Sequence, residues 1–187
     1  MKIIRTLTSV LLLFFIMSFG YQSVRHSQNS GEQASSISAD SSKYPIHKTK
    51  EEWKQLLSWR EYRVLRKGGT EIPFVNEYND NTKEGIYYCK ACGQPLYTSA
   101  TKYDSGTGWP SFWEPISLSY VEKKADNSLF MERTEIVCAR CGSHIGHVFK
   151  DGPEPTGFRY CMNSHALDFV AADLDSLNPN QIAINSK

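Results

Sequence analysis

The chain begins with an apolar run. Lys2 and Arg5 precede the uncharged stretch 6–20, which is dominated by Val10-Leu11-Leu12-Leu13-Phe14-Phe15-Ile16-Met17. This run is shorter than the roughly twenty residues that span a bilayer. Ser18 and Gly20 supply small residues at the −3 and −1 positions of a cut after Gly20. The pattern predicts a signal peptide over 1–20, with an uncleaved membrane anchor and a buried core helix as competing readings. Residues 21–43 are rich in Ser, Gln, Asn and Gly and almost free of large apolar side chains. Such a segment cannot bury enough surface to offset its ordering entropy, so a flexible Ser-rich linker is expected there. The folded domain is expected over 44–187.

Helical periodicity opens that domain. Thr49-Lys50-Glu51-Glu52 is a capping box followed by Trp53, Leu56 and Leu57, and Ser58-Trp59-Arg60-Glu61 is a second, leading Tyr62, Val64 and Leu65. Gly68-Gly69 marks the end of the second helix. Beyond Gly85 the pattern changes to short β-type runs, which predict strands at 86–89, 115–124, 129–138, 145–149, 158–163 and 166–170. Asp126-Asn127 is a candidate hairpin turn between the second and third of these.

Composition adds two constraints. The 187 residues carry 21 Lys+Arg against 20 Asp+Glu, which lacks the basic footprint of a nucleic-acid binder. There are five cysteines. An odd count leaves at least one thiol outside any intramolecular disulfide.

Four of the five form Cys89-Lys90-Ala91-Cys92-Gly93 and Cys138-Ala139-Arg140-Cys141-Gly142. The two-residue spacing lets both thiolates of a turn reach one tetrahedral metal ion, and the trailing glycine permits the tight backbone around the sulfurs. One structural Zn²⁺ per domain is expected, tying distant parts of the domain together. Two disulfides, favoured by an exported location, and a thioredoxin-like redox pair are the competing readings.

The fifth, Cys161, lies in Phe158-Arg159-Tyr160-Cys161-Met162-Asn163. On a strand, Arg159, Cys161 and Asn163 share one face and the alternate residues pack. A thiol so flanked sits in a polar, thiolate-favouring setting, although a buried structural cysteine is the commoner fate of a lone thiol. Upstream stand His144, His147 and Asp151. The two histidines would face opposite sides of a regular strand, unless Gly146 between them marks a bulge that re-aims one. Either histidine suits proton transfer near neutrality, or is simply a structural histidine. Trp109, in the glycine-rich loop 103–112, could line an apolar wall for a small substrate group or sit in the core beneath the loop.

In order along the chain, the first cysteine pair, KYDSGTGWPSF (102–112), the second cysteine pair, HIGHVFKDGPEPTG (144–157) and RYCMNS (159–164) resemble the type B methionine sulfoxide reductases. The resemblance is strongest over 48–170. It implies a mainly β fold of two antiparallel sheets, with short N-terminal helices and a structural Cys₄ zinc site away from the active site. It implies reduction of the R epimer of methionine sulfoxide, usually within a protein, with Cys161 as nucleophile and a sulfenic acid intermediate. His147, His144 and Asn163 match the polar side of the pocket, with His147 as the nearest proton relay. Trp109 matches the wall for the substrate methyl group. Asp151 and Arg159 match the supporting network, and Phe149 the substrate side. Many relatives carry a resolving cysteine where this chain has Thr107. That departure points to direct reduction of Cys161 by an external thiol, from a thioredoxin-like protein or a small molecule.

The expected partners are therefore oxidised proteins or peptides and a thiol reductant, with no nucleic acid, and the protein is expected to act as a monomer. Its expected location is exported (periplasmic, lumenal or extracellular), with membrane contact only if the leader is retained. The alternative is a zinc-stabilised binding module without catalysis, which leaves Cys161 and the histidines without purpose. A general thiol oxidoreductase would want a second redox cysteine nearby.

Overall fold

The computed structural model describes residues 43–127 and 132–175. The leader and nearly all of the linker expected from the sequence lie outside these residues. Chain order begins with an anchor: the Lys43 ammonium and the Tyr44 hydroxyl both bond the Glu122 carboxylate, and the Ile46 N–H donates to the Arg140 carbonyl.

Both capping boxes form. Thr49 Oγ1 accepts from the Glu52 N–H while the Glu52 carboxylate accepts the Thr49 N–H, which starts α1 (Lys50–Leu56). Ser58 and Glu61 repeat the exchange at α2 (Trp59–Lys67), which ends at Gly68 with φ 64°. Trp53, Leu57, Val64 and Leu65 are buried, whereas Leu56 faces solvent because Trp53 and Leu57 already fill the inward stripe. Arg66 lies over the Trp53 ring and donates to the Cys141 carbonyl, fastening α2 to the second cysteine turn.

Among the described residues nine strands follow: β1 (Gly85–Cys89), β2 (Pro95–Thr98), β3 (Lys102–Tyr103), β4 (Ser111–Phe112), β5 (Val121–Asp126), β6 (Arg133–Cys138), β7 (His144–Phe149), β8 (Arg159–Met162) and β9 (Leu167–Ala171). They pair antiparallel as a three-stranded sheet, β2-β1-β9, and a six-stranded sheet, β3-β4-β8-β7-β6-β5. The expected mainly β architecture of two antiparallel sheets is thus present. The core holds Tyr87, Tyr97, Phe112 and Tyr160, with the Tyr97 and Phe112 rings stacked at 4.4 Å.

Two expectations are corrected, and three strands come in addition. The strand expected at 115–124 starts only at Val121, because Leu118–Tyr120 forms a 3₁₀ turn. The strands β2, β3 and β4 carry no readable alternation, two of them being two residues long. Asp126 is not in a two-residue turn but in β5, opposite Arg133, so the β5–β6 connection is longer. The beginning of the strand expected at 129–138 lies partly outside the described residues.

Candidate active site

The site is a row across the six-stranded sheet. Cys161 in β8 lies opposite His147 in β7 on one side and Ser111 in β4 on the other. Beyond them, His147 faces Glu135 in β6, and Ser111 faces Tyr103 in β3. Residues directly opposite in an antiparallel pair share a face, so the row gathers chemistry that is scattered along the chain.

A bulge adds His144 to this face. Ile136 pairs with Gly146 and Val137 with His144, leaving Ile145 as the extra residue of β7. The His144 and His147 rings consequently meet edge-on, 5.3 Å apart. Gly146 is required for the approach of β7 to β8: an added Cβ would lie 2.2 Å from the Cys161 carbonyl oxygen. Gly146→Ala should therefore cost at least about 2 kcal/mol and lower activity with it, read by urea unfolding alongside turnover. An unchanged unfolding midpoint would show that the approach is not tight.

Each histidine is held by a carboxylate. His144 Nδ1 lies 2.7 Å from Glu135 Oε1, and His147 Nε2 lies 2.8 Å from Asp126 Oδ2, an oxygen that also accepts from Arg133. A carboxylate accepts, so each pairing places the imidazole proton on the bonded nitrogen and leaves the other nitrogen as a base. His144 Nε2 is buried without a hydrogen-bond partner among the described residues. Burial lowers the His147 pKa below its ordinary 6.5, against the opposing pull of Asp126, so this ring is neutral at neutral pH.

Arg159 approaches the thiol from its own strand. Its guanidinium makes a two-pronged pair with Asp151 at 3.0 and 2.8 Å and lies 4.3 Å from the Phe149 ring centre. Asp151 thus holds Arg159, while the histidines are held by Glu135 and Asp126. Burial pushes the Cys161 thiol above its ordinary value near 9, outweighing Arg159, Thr107 and Ser111, which pull it down. The polar neighbours act as the sequence suggested, but desolvation wins and the resting group is a thiol. On metal-loaded protein, alkylation of Cys161 by iodoacetamide should keep accelerating as pH rises past 9. Arg159→Met should shift the curve further alkaline. A plateau near neutrality would contradict this balance.

Trp109 is partly exposed, not a core tryptophan, and its indole N–H donates to the Glu71 carbonyl at 3.2 Å. Its loop is stitched to β8 by the Met162 N–H, which donates to the Pro110 carbonyl. Asn163 lies just past the end of β8 and is buried. Its Oδ1 accepts the Glu71 N–H and its Nδ2 donates to the Ile145 carbonyl, so the amide joins the Trp109 support to the bulge. The Glu71 carboxylate in turn accepts the N–H groups of Ser164 and His165. Cys161, His147, His144, Arg159, Asp151 and Phe149 therefore belong to one face, with Trp109 beside them and Asn163 as a joint. Glu71, Glu135, Asp126 and Ser111 are additions that sequence reasoning missed.

The other four cysteines form a separate cluster. Their sulfurs all lie within 4.8 Å of one another, with Cys89–Cys141 at 3.8 Å and Cys92–Cys138 at 3.6 Å. None is in a disulfide. The two turns are built alike: Gly93 and Gly142 take φ values of 71° and 68°, and each donates its N–H to the first cysteine of its pair at 2.8 Å. One turn closes β1–β2 and the other β6–β7, so the cluster joins the two sheets.

Fold and site together define a mainly β protein with a four-cysteine metal-type cluster and a separate lone thiol backed by carboxylate-held histidines. The SelR domain family model matches residues 57–171. Among curated proteins, the chain is 57% identical over 125 residues to peptide methionine sulfoxide reductase MsrB of Methanosarcina mazei, covering 67% of this chain and 89% of that one. It is 52% identical over 131 residues to the MsrB of Hahella chejuensis, covering 70% and 94%. To that of Leptospira interrogans it is 52% identical over 126 residues, covering 67% and 96%. The chain belongs to the SelR domain family.

Proposed function

We propose that the protein reduces methionine (R)-S-oxide in proteins and peptides to methionine, with Cys161 as the nucleophile. The observation that carries the chemical reading is the lone thiol lying opposite His147, itself fixed by Asp126. The free nitrogen of neutral His147 takes the thiol proton as Cys161 Sγ attacks the sulfoxide sulfur. The imidazolium so formed, stabilised by the Asp126 carboxylate, returns that proton to the sulfoxide oxygen. The protonated oxygen then passes to Cys161 Sγ: the methionine S–O bond and the Sγ–S bond break as the Sγ–O bond forms, so methionine departs and Cys161 is left as a sulfenic acid. One oxygen moves from the methionine sulfur to Sγ, so the methionine is reduced by two electrons and the thiol oxidised by two. Trp109 forms the wall for the substrate methyl group, and Arg159 steadies the sulfur as it gains negative charge.

Recycling goes through an external thiol. Thr107, close enough to Cys161 to lower its pKa, occupies the place where many relatives have their resolving cysteine. The other four cysteines are gathered in the cluster. An incoming thiol attacks the sulfenic acid, water leaves, and a second thiol releases Cys161 from the mixed disulfide.

Zinc is the ion that suits the cluster. A tetrahedron with Zn–S bonds of about 2.3 Å has sulfur–sulfur edges of about 3.8 Å, which the 3.6 and 3.8 Å separations match. Cys89, Cys92, Cys138 and Cys141 would hold it, and four protein ligands give it a structural task only. Export is the reading that the apolar run 6–20 supports, and N-terminal sequencing of the native protein tests it. Among the described residues, no helix is long and apolar enough to cross a membrane.

The experiment supplies dithiothreitol and a peptide carrying both sulfoxide epimers. The R epimer should disappear and the S epimer remain. A single turnover without reductant should leave one added oxygen on Cys161. Consumption of neither epimer would overturn the activity, and an internal disulfide would overturn the recycling route.

A further inference from the structure

We propose that the groove between α2 and the segment 70–76 seats the polypeptide flanking the methionine sulfoxide, accepting its apolar side chains. The proposal rests on the reductase reading above and extends it from the oxidised residue to its neighbours.

The groove, of about 480 Å³, has Val64 and Glu71 among its lining residues, with Trp59, Ile72 and Val75 along it. Trp59, Ile72, Phe74 and Val75 are 67%, 68%, 64% and 75% exposed. Single exposed apolar residues are ordinary, but a contiguous patch beside a pocket marks an interaction site.

The patch is continuous with the substrate wall. Trp109 donates to the carbonyl of Glu71, one residue before Ile72, while the Phe74 N–H and the Asn76 amide both donate to the Gly108 carbonyl. The groove and the Trp109 loop are thus held as one surface.

Phe74 supplies an independent sign. Its φ of 61° places a bulky residue in the left-handed region, at a cost of about 1–3 kcal/mol. Its ring covers Gly108, where an added Cβ would lie 2.7 Å from it, yet most of the ring remains in solvent. Packing alone gives little reason to keep a strained aromatic there, whereas presenting a ring beside Trp109 does.

Charge narrows the occupant. Arg60, whose guanidinium lies 5.0 Å from the Trp59 ring centre, and Arg63 line the groove. The acidic side chain among its lining residues, Glu71, is buried and turned onto the Ser164 and His165 N–H groups. An apolar floor with a cationic rim suits an extended, apolar, neutral or acidic segment. Methionine in folded proteins is mostly buried among apolar neighbours. Substrates in which it becomes accessible through unfolding therefore present apolar flanks.

The test compares two probes on wild type, Trp59→Ser and Val75→Ser: N-acetyl-methionine (R)-S-oxide, and an unfolded, peroxide-oxidised protein. Both substitutions remove exposed side chains, and thermal melts confirm folding. The expected result is a KM for the oxidised protein raised about tenfold, with kcat and all constants for the small probe unchanged. Equal losses on both probes, or no loss on either, would overturn the proposal. So would a wild-type dimer, seen by sedimentation velocity, that these substitutions dissociate, since the patch would then be a contact between copies. Failure of the reductase reading appears separately, as wild type inert toward both probes, and removes the proposal with it.

Discussion

Cys161→Ser should lower the turnover of R-sulfoxide peptides at least about a thousandfold with any thiol reductant, while leaving metal content and far-UV dichroism unchanged. The reason is chemical, not structural. Serine fits the space of the thiol, but its hydroxyl is a far weaker nucleophile and cannot carry the abstracted oxygen as a sulfenic acid. Cys161 stands outside the four-sulfur cluster, so the substitution leaves that cluster intact. His147→Asn should behave differently. It removes the base but keeps the thiol, so its deficit should shrink as pH rises and the thiol ionises unaided, because burial has raised the pKa of that thiol. A serine variant that keeps most of the wild-type rate would remove Cys161 from the reaction.

The second large effect concerns Cys138→Ser. The protein should purify without stoichiometric metal and lose more than about 15 °C in Tm, or fail to fold. Structural zinc contributes roughly 10–16 kcal/mol of apparent binding energy in small zinc-dependent peptides, and a whole domain is typically stable by only about 5–15 kcal/mol. Losing a fraction of the first can exhaust the second. Cys138 is fully buried at the end of β6, and its cluster fastens a β6–β7 turn of one sheet to a β1–β2 turn of the other. Differential scanning calorimetry with metal analysis checks this. A melting curve unmoved by chelation would show that the two sheets hold without the ion.

What the sequence disclosed is mostly what neighbours in the chain decide. The boxes at Thr49–Glu52 and Ser58–Glu61 are complete within four residues, so the helix starts could be read directly. The cysteine turns are equally local, and Cys161 stood out because four other thiols had a common use. Glu71 could not be found this way. Its partners Asn163, Ser164 and His165 lie more than ninety residues away. Asp126 was read as a turn residue, and only the β5–β6 register shows it in a strand whose carboxylate reaches His147. Glu135 meets His144 because β6 and β7 pair with one residue to spare. Arg159, Cys161 and their alternate packing neighbours were legible because period two is a local property, while Asn163 departs from it because β8 stops at Met162.

That spare residue in β7 makes the length of the strand part of its meaning. Without Ile145, the pairing frame would close up and the spacing that gathers both imidazoles beside the thiol would be lost, although both histidines remained in the sequence. Variation here is therefore asymmetric. Swapping one apolar letter for another at position 145 leaves the frame intact, whereas dropping that letter removes an imidazole from the Cys161 face without touching either histidine.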